Sequence, residues 1–397
     1  MDASLNTLPE PDPVSVERSV CLIEKIRSAC EASGGWIPFS VFMEMALYEP
    51  MLGYYSGGLQ KFGEQGDFIT SPEVSPLFGQ CVARQTAEIL LNIDDENDRN
   101  IIEFGAGSGA LAADILLALE HMGILPEKYY ILELSAELKA RQHTTLTEEA
   151  GHLIERVQWL DELSVAAKNA VVIANEVLDA MPVECFRVTE SGTQTLKIGF
   201  EEGSLVSRYL SADNALDEKL RQIENRSEVE FSEPYSSELN PCLQGWLAAI
   251  ADSLETMVLL VIDYGYNEKE YYHPDRSEGT LMCYYRHRAH DDFLFYPGLQ
   301  DITAFVNFTD LAYAASESGL MVSGYTTQAA FLLASGLSEL HASQVTEDPQ
   351  TQIRLSQQIK TLTLPSEMGE RFKVIALTKN YDEPLSGFAM LDLRNRL

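Results

Sequence analysis

The stretch Ile101–Ala113, IIEFGAGSGALAA, is an apolar run ending in an acid, then three glycines spaced by single small residues, then the first turns of a helix. A strand that passes straight into a helix over Gly105, Gly107 and Gly109 brings backbone N–H groups and a helix N-terminus to one point. Such a turn commits the chain to a βα unit with its ligand at the carboxyl end of the strand. Further short apolar runs, Tyr130–Leu134, Val157–Leu160 and Val171–Ala174, alternate with helical sequence. Strands this uniformly apolar belong in a parallel sheet covered on both faces. The pattern predicts an α/β fold, a doubly wound layer.

Ahead of that layer, Ser15–Ser33 carries helical spacing and "IPFSVFMEMALYEP" reads as a second short helix. A glycine-rich segment follows, "MLGYYSGGLQKFGEQGDFITSP", and then "PEVSPLFGQCVARQTAEILLNI" as one helix. After the fourth strand, Glu184 to Ser211 alternates as an inserted β meander, and Ala212–Glu238 is polar, with a helical and exposed reading. "MVLLVIDYG" resumes the sheet, and Tyr264–Asp301 is a second insertion rich in Tyr, His and Arg. "ITAFVNFTDLAYAASESG" reads as a helix, "LMVSGYTT" as a strand, "QAAFLLASG" as a helix and "RFKVIALTKN" as the last strand. The expected division is a disordered 1–14, an N-terminal helical region over 15–98, and an α/β domain over 99–397 with insertions at about 184–245 and 264–301.

The formal net charge of −33 over 397 residues argues against nucleic acid as a partner, because phosphate binding relies on clustered Lys and Arg. The acids are spread along the whole chain, as on a solvated acidic surface; attraction of a basic substrate is the other explanation. No apolar run reaches the ~18 residues of a membrane span, so no membrane insertion is expected. The start, "MDASLNTLPEPDPVS", has neither the basic, apolar character of a secretory signal nor the Arg-rich character of a transit peptide, and implies a bacterial cytoplasmic setting. The six cysteines show no metal-ligand spacing and are expected to be buried, reduced thiols.

The glycine turn admits two adenine-bearing ligands. As G-x-G-x-x-A, starting at Gly105, it suits the pyrophosphate of NAD and an oxidoreductase. As E-x-G-x-G-x-G, starting at Glu103, it suits S-adenosyl-L-methionine (SAM), with Glu103 placed to accept from the ligand's ammonium group. Glu133, in "ILELS", can accept from both ribose hydroxyls in either case. Trp159 in "VQWLDEL" offers an aromatic wall or plain core, and Asp161 an acceptor for the adenine amino group. In "ANEVLDAMPV", Asn175, Glu176 and Asp179 stand at the carboxyl end of a strand, where two carboxylates can grip a guanidinium by charge-assisted bonds.

The sequence resembles the MidA / complex I assembly factor family of class I SAM-dependent methyltransferases, which includes a protein arginine methyltransferase. The matching stretches are "GYYSGGLQKFGEQGDFITSPEVSPLFG", "EFGAGSGALAADIL", "ILELSAELKARQ", "NEVLDAMPVECF", "IDYG", "GTLMCYYRH", "PGLQDITAFVNF", "GYTTQAAFLL" and "EMGERFKVIALTK". The resemblance implies a seven-stranded, Rossmann-like sheet and SAM as cofactor, held by Gly105, Gly107 and Gly109. It implies ribose binding by Glu133 and a methyl-donor region bordered by Asn175 and Glu176. It also implies a lid from "GDFITSP", with polar contacts from Asp67, Thr70 and Ser71. Tyr284, His287, Asp301 and Thr303 would face the substrate. For an arginine acceptor, Glu176 and Asp179 are the expected clamps, with Asp67 a third acid. A protein substrate follows, a respiratory-complex subunit by analogy. The remaining alternative is a noncatalytic SAM-binding assembly factor. On the substrate side the chain departs from the family pattern at Phe293, after Asp292, and at Asn307.

Overall fold

The computed structural model describes residues 8–57, 70–93, 95–163, 167–227, 229–231, 233–344, 346 and 348–397. The chain forms two compact units. One is built from the described parts of 1–68, 179–243 and 266–307, the other from those of 69–178, 244–265 and 308–397.

The second unit holds the seven-stranded main path of a sheet whose eighth strand, Val306–Asn307, lies off that path. Its strands are β1 (Asn100–Phe104), β2 (Lys128–Leu132), β3 (Val157–Leu160), β4 (Asn169–Asn175), β5 (Thr256–Tyr266), β6 (Met321–Thr327) and β7 (Phe372–Lys379). They are ordered β3-β2-β1-β4-β5-β7-β6. The pairs β2–β3, β1–β2, β1–β4 and β4–β5 are parallel, and β7 runs antiparallel to both β5 and β6. An all-parallel dinucleotide fold closes its second half in the order 4-5-6 instead. Every residue of β1 is buried, which is why its sequence lacks alternation.

The helices of this unit are α1 (Ser71–Val74), α2 (Pro76–Leu91), α3 (Ala110–Met122), α4 (Ala136–Ala150), α5 (Leu243–Ser253), α6 (Phe308–Glu317), α7 (Gln328–Ala334), α8 (Leu337–Ser343), α9 (Pro349–Thr363) and α10 (Met368–Arg371). The single helix expected from Pro72 to Ile93 is two. Ser75 takes extended backbone (φ −163°, ψ 138°) and caps α2 by accepting the Leu77 N–H on its hydroxyl. The helix expected from Ile302 is also shorter, because Asp301–Thr303 and Val306–Asn307 are extended and α6 starts at Phe308.

Helix α2 lies tightly against α3. A Cβ at Gly79 would stand 2.4 Å from the Asp114 Cβ, so only glycine allows this approach. The packing pushes the Asp114 carboxyl up to about 8, mainly through burial, with the charges of Glu149 and Glu73 adding to it. The folded chain therefore binds this proton more tightly than the unfolded one. The associated stability is full below the ordinary carboxylate range and is lost as pH rises through about 8. Asp114→Asn should gain roughly 1–3 kcal/mol over the parent between pH 5 and pH 9 in urea denaturation. An equal difference at both pH values would contradict this.

In the first unit, helices Pro13–Ala32 and Phe39–Tyr48 pack with the meander into an apolar cluster that includes Leu22, Ile26, Phe42, Met43 and Ile198. The meander strands Glu184–Thr189, Gly192–Glu201 and Ser204–Ser211 are extended at one side by Trp36–Pro38 and at the other by Tyr235–Leu239. This last strand corrects the exposed reading of Ala212–Glu238. Among its described residues only Asn214–Ser227 is helical, and Glu238 is 3% exposed. Its carboxylate accepts the Thr280 N–H (3.0 Å) and hydroxyl (3.1 Å), the Leu281 N–H (3.2 Å) and the Tyr271 hydroxyl (3.2 Å), so a polar strand can be buried. A second small sheet joins Arg288–His290, Met282–Tyr285 and Asp301–Thr303. Four cysteines are buried as expected, whereas Cys21 and Cys242 are exposed. Among the described residues no helix is long and apolar enough to cross a membrane.

Candidate functional site

The turn between β1 and α3 has three left-handed glycines, Gly105 (φ +60°), Gly107 (φ +54°) and Gly109 (φ +88°). Glycine alone adopts that region without steric cost. Its first N–H bonds the Leu132 carbonyl (3.0 Å), which ties the turn to β2, and the Gly109 N–H bonds the Ala106 carbonyl (2.8 Å). The Ser108 hydroxyl donates to Glu73 on α1. A Cβ on Gly109 would come within 3.1 Å of the Gln142 Cα, tighter than ordinary contact. Gly109→Ala should therefore cost about 1–3 kcal/mol of stability and weaken binding of whatever ligand the turn holds, SAM by the expectation above, at least about 10-fold. Thermal melts and calorimetric titration test this, and unchanged affinity would contradict it.

Glu103 lies at the end of β1 and is 2% exposed. It accepts the Tyr129 hydroxyl at 2.8 Å, and burial pushes its carboxyl up to about 7. Glu133 follows directly after β2 and is also buried. One of its oxygens accepts the Ser135 N–H (2.9 Å) and the other the Gln142 side-chain amide (2.9 Å). That amide also donates to the Gly107 carbonyl (3.2 Å), and its oxygen accepts the Trp159 indole N–H (2.9 Å). Glu133, Trp159 and the glycine turn are thus gathered by one side chain that sequence reading missed. The available signal was its place in the buried stripe Leu138, Gln142, Leu146, Ala150 of α4. Asp161, by contrast, is at the surface, its side chain 93% exposed and paired with Lys139.

At the carboxyl end of β4, Asn175 is 9% exposed. Its Nδ2 donates to Glu176 Oε1 (3.3 Å), and its buried Oδ1 has no hydrogen-bond partner among the described residues. Glu176 has φ +53°, a conformation that non-glycine residues rarely adopt and that recurs at functional sites. Its N–H bonds the Ile262 carbonyl (2.8 Å) on β5, and its Oε1 accepts the Ser71 N–H (2.9 Å) at the start of α1. Ser71 is fully buried and its hydroxyl meets Gln328 Oε1 at 3.2 Å; Thr70, just before it, is the N-terminal flank of α1. The carboxylate of Asp263, on β5 and fully buried, accepts the Leu178 N–H at 2.9 Å, which holds the Asn175–Leu178 corner. Asp263 too was missed as a site residue, being read only as the last residue of an apolar strand. Asp67 lies outside the described residues.

After Leu178 the chain enters the other unit. There Asp179 is buried and its carbonyl accepts the Ala304 N–H at 2.9 Å. Asp301 and Thr303 are also buried, Tyr284 is half-buried, and His287 is exposed at a hairpin tip with φ +61°. The Tyr55 hydroxyl donates to Asp301 Oδ1 (3.0 Å), and the Tyr55 ring stacks on Tyr48 with centroids 5.5 Å apart. Burial, followed by the Asp301 charge, pushes the Tyr55 phenol well up.

The residues at β1, β2 and β4 fit a cofactor with an ammonium and a ribose diol. The turn presents glycine backbone, Glu133 is a fixed acceptor, and Asn175 Oδ1 is a buried acceptor still open to a donor.

Residues 81–326 match the model of a family described as "Putative S-adenosyl-L-methionine-dependent methyltransferase". A crystal structure of a Burkholderia thailandensis protein bound to S-adenosyl-homocysteine is 40% identical, with a TM-score of 0.92, covering 98% of this chain and 100% of that one. A native crystal structure from the same organism is 39% identical, with a TM-score of 0.88 and the same coverage. Among curated proteins, the mitochondrial protein arginine methyltransferase NDUFAF7 of Danio rerio is 26% identical over 96% of this chain and 94% of its own length. Its Bos taurus counterpart is 28% identical over 90% and 82%.

Proposed function

We propose, on the premise that this chain belongs to the S-adenosyl-L-methionine-dependent methyltransferase family, that it methylates arginine side chains of a protein partner. Its cofactor is SAM, which when bound supplies a methyl group on a positively charged sulfonium. Gly105, Gly107 and Gly109 are the residues we assign to the methionine and ribose backbone contacts. We assign Glu133 to the ribose hydroxyls, Trp159 to the adenine face and Asn175 to the donor side of the methionine portion.

The observation that carries the arginine reading is Glu176. Its carboxylate is locked by Ser71 and Asn175 at the carboxyl end of a central strand, in a backbone conformation that costs energy to hold. A guanidinium keeps its charge at neutral pH. A fixed carboxylate would draw that charge toward the nitrogen it bonds and leave another to take the methyl group as the C–S bond breaks, with S-adenosylhomocysteine leaving and the nitrogen's proton passing to solvent. Orientation supplies most of the rate in such a transfer. Asp179, which is buried, is the second acid we assign to the guanidinium. The names of the curated relatives support the same acceptor.

The partner we favour is a respiratory-complex subunit encountered in a bacterial cytoplasm. The test is incubation of the protein with methyl-tritiated SAM and cell extract. Label in protein, recovered as methylarginine after hydrolysis, is expected. SAM binding without any label in protein would favour a noncatalytic assembly factor.

A further inference from the structure

We propose that Gln142 is a positioning residue for the cofactor, setting the affinity for the ribose by fixing Glu133. This rests on the assignment of Glu133 to the ribose hydroxyls. Gln142 is fully buried, and every polar atom of its amide is engaged. The nitrogen donates to Glu133 Oε2 and to the Gly107 carbonyl, while the oxygen accepts from the Trp159 indole. Only this orientation satisfies all three partners, since two are acceptors and one is a donor.

The position is costly for a glutamine. It lies between Leu138 and Leu146 on the buried stripe of α4, where leucine would satisfy packing alone. A buried amide at such a place is tolerated when its hydrogen bonds are complete, and it then specifies one arrangement. Here the arrangement joins the three parts that a nucleoside would meet: an acid, an aromatic ring and the glycine turn. The missing Cβ at Gly109 lets the backbone of α4 approach the turn closely enough for this.

With the Ser135 N–H on one oxygen and Gln142 on the other, the Glu133 carboxylate cannot rotate, and its outward lone pairs have fixed directions. Two hydroxyls on adjacent ribose carbons require such a pair of directions. Without Gln142 the carboxylate keeps its charge and loses its orientation, so recognition of the diol falls while other contacts persist.

The experiment compares binding of S-adenosylhomocysteine with that of its 2′,3′-dideoxy analogue by calorimetry, in the parent, Glu133→Ala, Gln142→Met and Gln142→Glu. The parent should prefer the diol by about 100-fold, the worth of two charge-assisted hydrogen bonds. Gln142→Met, similar in volume, should reduce the preference to below about 5-fold and change affinity for the dideoxy analogue less than about 3-fold. Gln142→Glu keeps the shape and sets one carboxylate against another, so it should lose the preference as well; it covers the case in which the methionine variant fails to fold. A full preference retained in a folded Gln142 variant, with both ligands weakened equally, would overturn the inference. A preference that survives in Glu133→Ala would instead overturn the ribose assignment.

Discussion

Glu133→Ala is expected to weaken SAM about 100-fold, a loss of roughly 3 kcal/mol. The side chain is buried at the end of β2, and its two oxygens already hold the Ser135 N–H and the Gln142 amide. Alanine removes the proposed acceptor for the ribose and leaves two buried donors without partners. Each such donor costs on the order of 1–3 kcal/mol, so stability falls together with affinity. Glu133→Gln separates the two effects. It preserves the volume and one acceptor oxygen, so it should melt closer to the parent and still bind SAM at least about 10-fold more weakly. Calorimetric titration alongside thermal melts reads both quantities, and affinity within about 3-fold of the parent in either variant would contradict the assignment.

Glu176→Gln should lower kcat/KM for the protein acceptor at least about 100-fold while leaving SAM affinity within about 3-fold. The amide can keep its oxygen on the Ser71 N–H and Asn175 Nδ2, so the corner retains its anchors. What it loses is the negative charge proposed to align a guanidinium. Glu176→Gly provides the complementary control, since glycine accepts φ +53° without strain. It relieves the strain but leaves the Ser71 N–H and Asn175 Nδ2 without their acceptor, so it should be about 1–3 kcal/mol less stable than the parent and as inactive as the glutamine variant. Full activity in Glu176→Gln would mean that the carboxylate serves only to hold α1.

The sheet and the glycine turn were legible because their signals are local. An apolar run followed by Gly105, Gly107 and Gly109 has few ways to fold, and β1 begins one residue before the run singled out in the sequence. The β2 strand lies earlier than its apolar run implies, at Lys128–Leu132, although the Glu133 N–H still bonds the Leu160 carbonyl (3.3 Å). Polar residues buried by distant partners were not legible. Glu238 reads as surface until Thr280, Leu281 and Tyr271 close around it, and Gln142 reads as an ordinary helix residue until Glu133, Gly107 and Trp159 converge on it. Asp263 reads as the end of an apolar strand until the Leu178 N–H meets it. The same limit hid the two-unit construction, in which segments far apart in sequence, such as Trp36–Pro38 and Gly192–Glu201, pair as neighbours.

The central claim is transfer of methyl groups to arginine in protein. Its most direct measurement is quantitative mass spectrometry of methylarginine in cells that carry the parent chain, the Glu176→Gln variant, or neither. Methylarginine peptides are expected only in cells that carry the parent. A proteome with identical methylarginine in all three, or with parent-dependent methylation confined to other residues, would contradict it.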